Sequence, residues 1–191
     1  MSSLDSEKNT RVSNSFIELH HLQNKRWKKK EFVVANFLDV QQAFDRVFHD
    51  KLIQKLSFML PKNHVELLCF YLSDRVFRIR FEDAISVFKP INAGVSQGSV
   101  LAPLLYSLFT TDIPQPKSGG KIGIFADDTL TLAIDKNYLI ARDKVQNHLD
   151  DISKWTKTNR IKLNETKSVE VVFTNRKYVH SPLILNNTII P

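Results

Sequence analysis

Two adjacent carboxylates set between apolar runs constrain this chain more than any other feature. The tetrapeptide Phe125-Ala126-Asp127-Asp128 stands between Ile122–Phe125 and Leu130–Ile134, a pattern that reads as an antiparallel hairpin with an acidic tip. Like charges crowded beside a core repel each other and lose solvation unless a cation neutralises them. A third acid, Asp39, ends the other strongly apolar stretch, Phe32 to Leu38 (FVVANFL), which suits a strand buried on both faces. Three carboxylates gathered at one rim of a sheet suit two hard divalent ions, because Mg²⁺ takes oxygen ligands and shares the phosphate oxygens of a substrate. In such a pair, with ions about 3.5–4 Å apart, one lowers the pKa of an attacking hydroxyl and the other stabilises the leaving oxygen. The chain carries its own control. Asp150 and Asp151 are also adjacent, but they lie in an amphipathic helical stretch where a solvated face explains them. The strand setting and Asp39, not the dipeptide, carry the expectation.

The chain has 191 residues, with 27 Lys+Arg against 20 Asp+Glu and a net charge of +7. That length fits one domain, and 42% hydrophobic with 25% charged residues excludes a disordered or low-complexity chain. The lone Cys69 removes any internal disulfide framework or cysteine-based zinc site. Met1 to Thr10 is polar, and the longest apolar stretch, Val100 to Phe109, is too short to span a bilayer. The expectation is an intracellular protein without a membrane partner, in nucleus or cytoplasm. The positive balance suits a polyanionic partner or simple solubility. The run Lys25-Arg26-Trp27-Lys28-Lys29-Lys30 reads as a phosphate-binding patch or as a solvated face, within a basic, partly disordered or helical segment over 1–30.

Periodicity orders the rest. Phe44, Val47, Phe48, Leu52, Ile53, Leu56 and Met59 recur at helical steps up to Pro61, which reads as the first-turn proline of a second helix. Val76–Phe81 and Ile85–Ile91 alternate as a hairpin with arginines on one face, which track a template or keep an edge soluble. Ser99–Thr111 reads as an apolar helix, Lys121–Ile134 as the acidic hairpin, and Tyr138–Lys157 as an amphipathic helix with Trp155 in the core. Val169–Phe173 reads as a short strand, and Leu183–Ile190 as a last hairpin around Asn186 and Asn187. The order predicts an α+β fold with a mainly antiparallel sheet and helices packed on one face. All five glycines lie between Gly94 and Gly123. Surface loops account for Gly119 and Gly120, but not for Gly94 and Gly98, where a sharp turn or a close ligand is expected.

These blocks resemble, in order, the palm of a reverse transcriptase from non-LTR (LINE-like) retrotransposons, most similar to the jockey group of insects. FLDVQQAFDRVFHDKLIQKL (37–56) resembles the family's motif A, GVSQGSVLAPLLYSLFTTDIP (94–114) its motif B and FADDTLTLA (125–133) its motif C. NRIKLNETKSVEVVFTNR (159–176) resembles motif D with its following strand, and PLILNNTIIP (182–191) the segment towards the thumb. The resemblance covers residues 31–191 and implies a palm domain there, with fingers and thumb largely missing.

The resemblance implies RNA-directed DNA polymerase activity with an RNA template, a DNA primer, deoxynucleoside triphosphates and two Mg²⁺ ions, replaceable by Mn²⁺. It makes Asp39, Asp127 and Asp128 the metal-binding triad, with the main-chain carbonyl of Val40 a further ligand. It places Phe44 under the sugar of the incoming nucleotide, where a bulky ring excludes a 2′-hydroxyl; Phe44 equally fits the apolar helical stripe. Gln97 and Gly98 correspond to the pair that contacts the nucleotide and the template base. Lys167 stands where motif D carries a lysine that protonates pyrophosphate, although between Glu165 and Glu170 it also reads as an exposed lysine. Asp45 is expected to organise the connection after the strand, and His49 or Asp50 to cap the next helix.

The chain departs from the family at Ser96 and Ala102, where motif B has proline and glycine, and at Phe48, where motif A has tryptophan. Serine for proline loosens a loop without breaking it. Three readings follow: a polymerase domain; a truncated, inactive palm remnant that binds nucleic acid or a partner; and a cyclase-like two-metal enzyme, which the Gln97-Gly98 loop disfavours.

Overall fold

The structure is a computed structural model that describes residues 30–96, 98–117, 119–125 and 128–191, with the side chain of Phe125 excepted. The expected basic segment 1–30 lies outside the described residues but for Lys30, as do Gln97, Ser118, Ala126 and Asp127. The chain divides into two compact units. One runs through Gln41, Ile113–Lys157 and Lys162–Pro191; the other is Gln42–Asp112 with Thr158–Ile161.

The first unit is built on strand β1 (Phe32–Val40). It lies inside a four-stranded antiparallel sheet of order β6-β7-β1-β8, with β6 at Lys121–Phe125, β7 at Asp128–Asp135 and β8 at Leu163–Phe173. Phe32, Val33, Val34 and Ala35 are all buried, so both faces of β1 are covered, as its unbroken apolar run requires. Helix α4 (Tyr138–Thr158) covers one face. Its buried residues Ala141, Val145, Leu149 and Ile152 fall at three- and four-residue steps and join Val34, Leu38 and Ala133 in one core. Trp155 packs on the margin of that core, partly buried. Asn137 starts the helix, its Oδ1 accepting the Leu139 N–H at 2.9 Å. The opposite face carries Ala35 and Leu132, flanked by Phe37, Leu130, Ile134 and Phe173.

Among the polar residues buried in this unit are Asn36 and His148. Asn36 is fully buried and donates from Nδ2 to Val169 O (3.2 Å). His148 is buried on α4: its Nε2 meets Pro114 O (2.9 Å) and its Nδ1 meets Thr131 Oγ1. A carbonyl can only accept, so Nε2 carries the proton and Nδ1 takes the threonine hydroxyl's. Burial holds the pKa of this ring below its ordinary value, against the raising effects of the Pro114 carbonyl and Asp151.

The second unit is helical, with a frayed hairpin. Helices α1 (His49–Met59), α2 (Lys62–Leu72) and α3 (Leu101–Phe109) bury Leu52, Leu56, Leu72, Leu105 and Phe109, with α1 against both others. Lys55 of α1 reaches the last turn of α3, donating to Phe109 O (2.7 Å) and pairing with Asp112, where a cation complements the helix dipole.

Several expected boundaries move, each for a physical reason. The helix expected from Phe44 is only a 3-10 turn at Phe44–Arg46, followed by extended Val47 and Phe48. The backbone there is used elsewhere: Val95 N–H donates to Phe44 O (3.0 Å), Gly94 N–H to Val47 O (2.9 Å) and His49 N–H to Asn92 O (3.1 Å). Neither His49 nor Asp50 caps α1, whose N-cap is Phe48; the His49 ring goes to Gly94 O instead (2.8 Å). Pro61 is the N-cap of α2, one residue outside the helix, because its ψ of 148° is extended. The arginine hairpin forms as two separate ladders, β2 (Val76–Phe77) with β5 (Lys89–Pro90) and β3 (Arg80–Phe81) with β4 (Ala84–Ile85), all exposed. The strand expected at Val169–Phe173 begins six residues earlier, at Leu163. The last hairpin, β9 (Ile184–Leu185) with β10 (Thr188–Ile189), turns on Asn186 (φ 49°) and Asn187 (φ 66°), the left-handed pair of a type I′ turn.

Two stability measurements test this packing. Leu149→Ala, at a fully buried position, is expected to cost about 2–5 kcal/mol in urea unfolding. The His148 pKa is lowered on folding, so the unfolded chain takes that proton first. The contribution is therefore complete above about pH 6.5 and falls as pH drops through the lower folded value. Comparing pH profiles, His148→Gln should flatten that acid limb; an unchanged limb would show that His148 is not buried neutral.

Candidate functional site

The register of the central strands brings two acids together. Asp39 of β1 lies directly opposite Asp128 of β7, the last pair of a run that starts at Phe32 and Asp135. Directly opposed residues of an antiparallel pair sit about 4.5–5.5 Å apart at Cα and project from the same face. Leu38 and Thr129 face α4, so the two acids project from the other side, beyond Phe37 and Leu130. Asp39 is half-buried and Asp128 exposed. This rim is polar, open and built from oxygen donors, which fits a hard divalent cation rather than zinc. Phe125 pairs with Asp128, so Asp127 belongs to the two-residue link between β6 and β7 and lies outside the described residues. Among the described residues no three His, Cys, Asp or Glu side chains gather as a metal site; the expected triad has one member beyond them.

Across β1, strand β8 supplies the third side of the rim. Asp39 pairs with Asn164 and Phe37 with Val169, so residues 165–168 bulge out opposite the single residue Leu38. Lys167 is exposed on this bulge, which lies next to the Asp39–Asn164 pair. Ser168 turns inward and is fully buried. Its Oγ accepts the Asp39 N–H (3.3 Å), and its hydroxyl donates to Asn164 O (2.8 Å). Ser168 thus fixes the backbone that presents the Asp39 carboxylate. Within Asn-Glu-Thr-Lys-Ser it looks like any polar loop residue, and only the strand register reveals it. Val40, partly buried, pairs with Leu163 and packs its side chain on the core.

The remaining expected residues belong to the second unit. Phe44 is half-buried, its ring against Tyr106 with centroids 5.2 Å apart. Gly94 has φ 96°, and a Cβ there would meet the Asp45 backbone at 3.4 Å; this explains a glycine that a surface loop did not. Gly98 is exposed with φ 85°. Ser99 N–H donates to Ser96 O (3.0 Å), closing a four-residue turn with Gly98 at its third position, where a type II turn requires positive φ. Gln97, the second position, lies outside the described residues. The helical acids behave as a solvated pair: Asp151 binds Lys117 (2.9 Å), whose hydrogen bond holds its carboxyl below the usual range, and Asp150 accepts from Gln146 (2.8 Å). Among the described residues no helix is long and apolar enough to cross a membrane.

Comparison with known proteins specifies the class to which this antiparallel sheet with acids opposed at its rim belongs. The family model for reverse transcriptase (RNA-dependent DNA polymerase) matches residues 3–181, and the chain belongs to that family. Its relatives are of the non-LTR retrotransposon type. It is 35% identical over 183 residues to the RNA-directed DNA polymerase from mobile element jockey of Drosophila melanogaster, covering 91% of this chain and 20% of that protein. It is 37% identical over 169 residues to the probable RNA-directed DNA polymerase from transposon X-element of the same species, covering 86% of this chain and 19% of that one. The chain therefore spans about a fifth of the length of the curated relatives it matches. The fold is also that of telomerase from Candida tropicalis, truncated from its C-terminal domain (TM-score 0.60, 16% identity, 100% of this chain and 38% of that one). Telomerase from Candida albicans, solved with a fragment of telomeric RNA, superposes similarly (TM-score 0.60, 15% identity, 93% and 32%).

The buried serine gives a direct test. Ser168→Ala removes both bonds and leaves the Asp39 N–H without its side-chain partner, an expected loss of about 1–3 kcal/mol. Lys167→Ala beside it, exposed, should stay within about 0.5 kcal/mol. Equal effects in urea titrations would show that the bulge does not hold the rim.

Proposed function

We propose that this domain catalyses RNA-directed DNA synthesis. A primer 3′-hydroxyl oxygen bonds to the α-phosphorus of a deoxynucleoside triphosphate paired with an RNA template, and the bond to pyrophosphate breaks. The observation that carries this reading is the opposition of Asp39 and Asp128 at the open end of β1 and β7, at the head of the hairpin that also carries Asp127.

Asp39, Asp127 and Asp128, with the Val40 carbonyl, would hold two Mg²⁺ ions, or Mn²⁺ in their place. Bound there, the metal pair supplies a more acidic primer hydroxyl and charge stabilisation at the leaving oxygen. The chain's own groups do the rest. Three carboxylates set the position and charge of the rim. Phe44 excludes a ribose 2′-hydroxyl by occupied volume, and its contact with Tyr106 supports this, since the ring is braced on one side. Gln97 and Gly98 meet the nucleotide and template base through the turn closed by Ser96 and Ser99. Lys167, exposed on the bulge that follows the Asp39–Asn164 pair, donates a proton to the departing pyrophosphate. Residues 31–191 form the palm in this reading, and 1–30 a basic segment before it.

Primer extension on an RNA template with a DNA primer, in Mg²⁺ and in Mn²⁺, tests this. Asp39→Asn and the pair Asp127→Asn with Asp128→Asn should each lower incorporation by at least about a thousandfold, several kcal/mol of lost stabilisation. Phe44→Ala should relax discrimination against ribonucleotides by about a hundredfold at most, the limit for rejecting one added hydroxyl by shape. Template-dependent incorporation unaffected by the acid variants would refute the assignment. A folded wild-type chain as silent as the variants would leave a palm remnant that binds without turnover.

A further inference from the structure

The turn that carries Gln97 and Gly98 has an anchor outside its own segment. The guanidinium of Arg75, at the foot of the arginine hairpin, donates from Nη2 to Ser96 Oγ at 2.7 Å. Arg75 is itself held by its carbonyl, which accepts the Ile91 N–H (2.8 Å) next to the β2–β5 ladder. Its other terminal nitrogen, Nη1, is buried with no hydrogen-bond partner among the described residues. Burying an unpaired guanidinium nitrogen costs stability, and a small residue at that position would avoid it. The compensating contact at Arg75 is the Ser96 bond.

Ser96 is where the resemblance expects proline. A proline would set φ and narrow the unfolded ensemble without any partner. Serine does neither. The segment before it is tied to the strand-to-helix connection by the bonds from Asn92 to Val95 described above, and the segment after it is ordered by Ser99, whose Oγ accepts the Ala102 N–H (3.1 Å) at the start of α3. Between these two fixed stretches, the Ser96 side chain is held by Arg75 alone among the hydrogen bonds of the described residues.

We propose that Arg75 is a positioning residue for the Gln97-Gly98 turn, its bond to Ser96 replacing the conformational restriction that proline would impose. Its importance for synthesis rests on the function proposed above, but the restraint itself does not. Two consequences separate this from a merely structural arginine. The effects of removing Arg75 and Ser96 are not additive, because both delete one bond. And proline at residue 96 makes Arg75 dispensable for the turn.

Hydrogen–deuterium exchange of peptides covering 92–100 tests both, with peptides from β1 and β7 as the folding control. Arg75→Ala and Ser96→Ala should each speed exchange of the 98–100 amides on the order of tenfold, the loss of one bond to a charged donor. The double variant should be no faster than either single one, Arg75→Lys should be intermediate, and Ser96→Pro combined with Arg75→Ala should return exchange to the wild-type rate. Ser96→Ala, a small change at a half-buried site, carries the test if Arg75→Ala does not fold. Unchanged exchange in Ser96→Ala, additive effects, or no recovery with proline would each overturn the proposal. Absence of primer extension by the wild-type chain would refute the polymerase reading and leave these exchange results standing.

Discussion

Everything at the rim depends on β1 being paired on both edges and covered on both faces. An interior strand cannot leave amides unsatisfied, so β1 demands a partner on each side, and β7 and β8 provide them. The register with β7 is then decided by burial. Leu38, Asn36 and Val34 meet Thr129, Thr131 and Ala133 on the α4 face, while Phe37 and Ala35 meet Leu130 and Leu132 on the other. A slip of one residue would exchange these faces and drive Leu130 and Leu132 against the helix side. The opposition of Asp39 and Asp128 is therefore fixed by packing along the whole strand. The buried pairs from Val34 to Leu38 are enough to choose that register.

The second partner achieves the same end differently. β8 keeps register with Phe37 and with Asp39 while looping out residues 165–168 between them. A bulge of that size would leave the backbone beside Asp39 poorly held. Ser168 closes the gap with one hydroxyl, taking the Asp39 N–H and returning a bond to Asn164 O. The bulge leaves Thr166 and Lys167 exposed without disturbing the ladder below, while Glu165 accepts from Asn186 Nδ2 (2.8 Å). Solvent-exposed positions and ladder-forming positions are thereby assigned to different residues of one segment.

What the sequence made legible follows the range of the interactions involved. FVVANFL reads as a strand because burial on both faces leaves no competing period, and Asn186-Asn187 reads as a turn because two left-handed residues in sequence admit few alternatives. The α4 stripe is equally local. The misread segments are those governed by distant partners. Phe44 to Phe48 has a helical apolar pattern, yet its carbonyls and amides are taken by residues 92–95, and tertiary bonds override propensity. Leu163 to Ser168 looks like a loop because a bulge destroys the alternation that marks a strand. Of the site, Asp39 and Asp128 were legible as acids that an apolar environment does not favour; their direct opposition was not, since register is a property of two strands. Ser168 gave no signal at all.

Phe44 shows how a residue on a short connection is held from two directions. Its ring packs against Tyr106, and the residue is half-buried. Its carbonyl accepts the amide of Val95, itself buried. The aromatic is thus held at ring and backbone by the segment that goes on to form the Ser96–Ser99 turn and by the helix that follows it. The coupling runs through contiguous bonds, so a change at Gly94 or Val95 reaches Phe44 directly. Left-handed Gly94, with the Asp45 backbone at 3.4 Å from where a side chain would begin, is the position at which that coupling has least room to adapt.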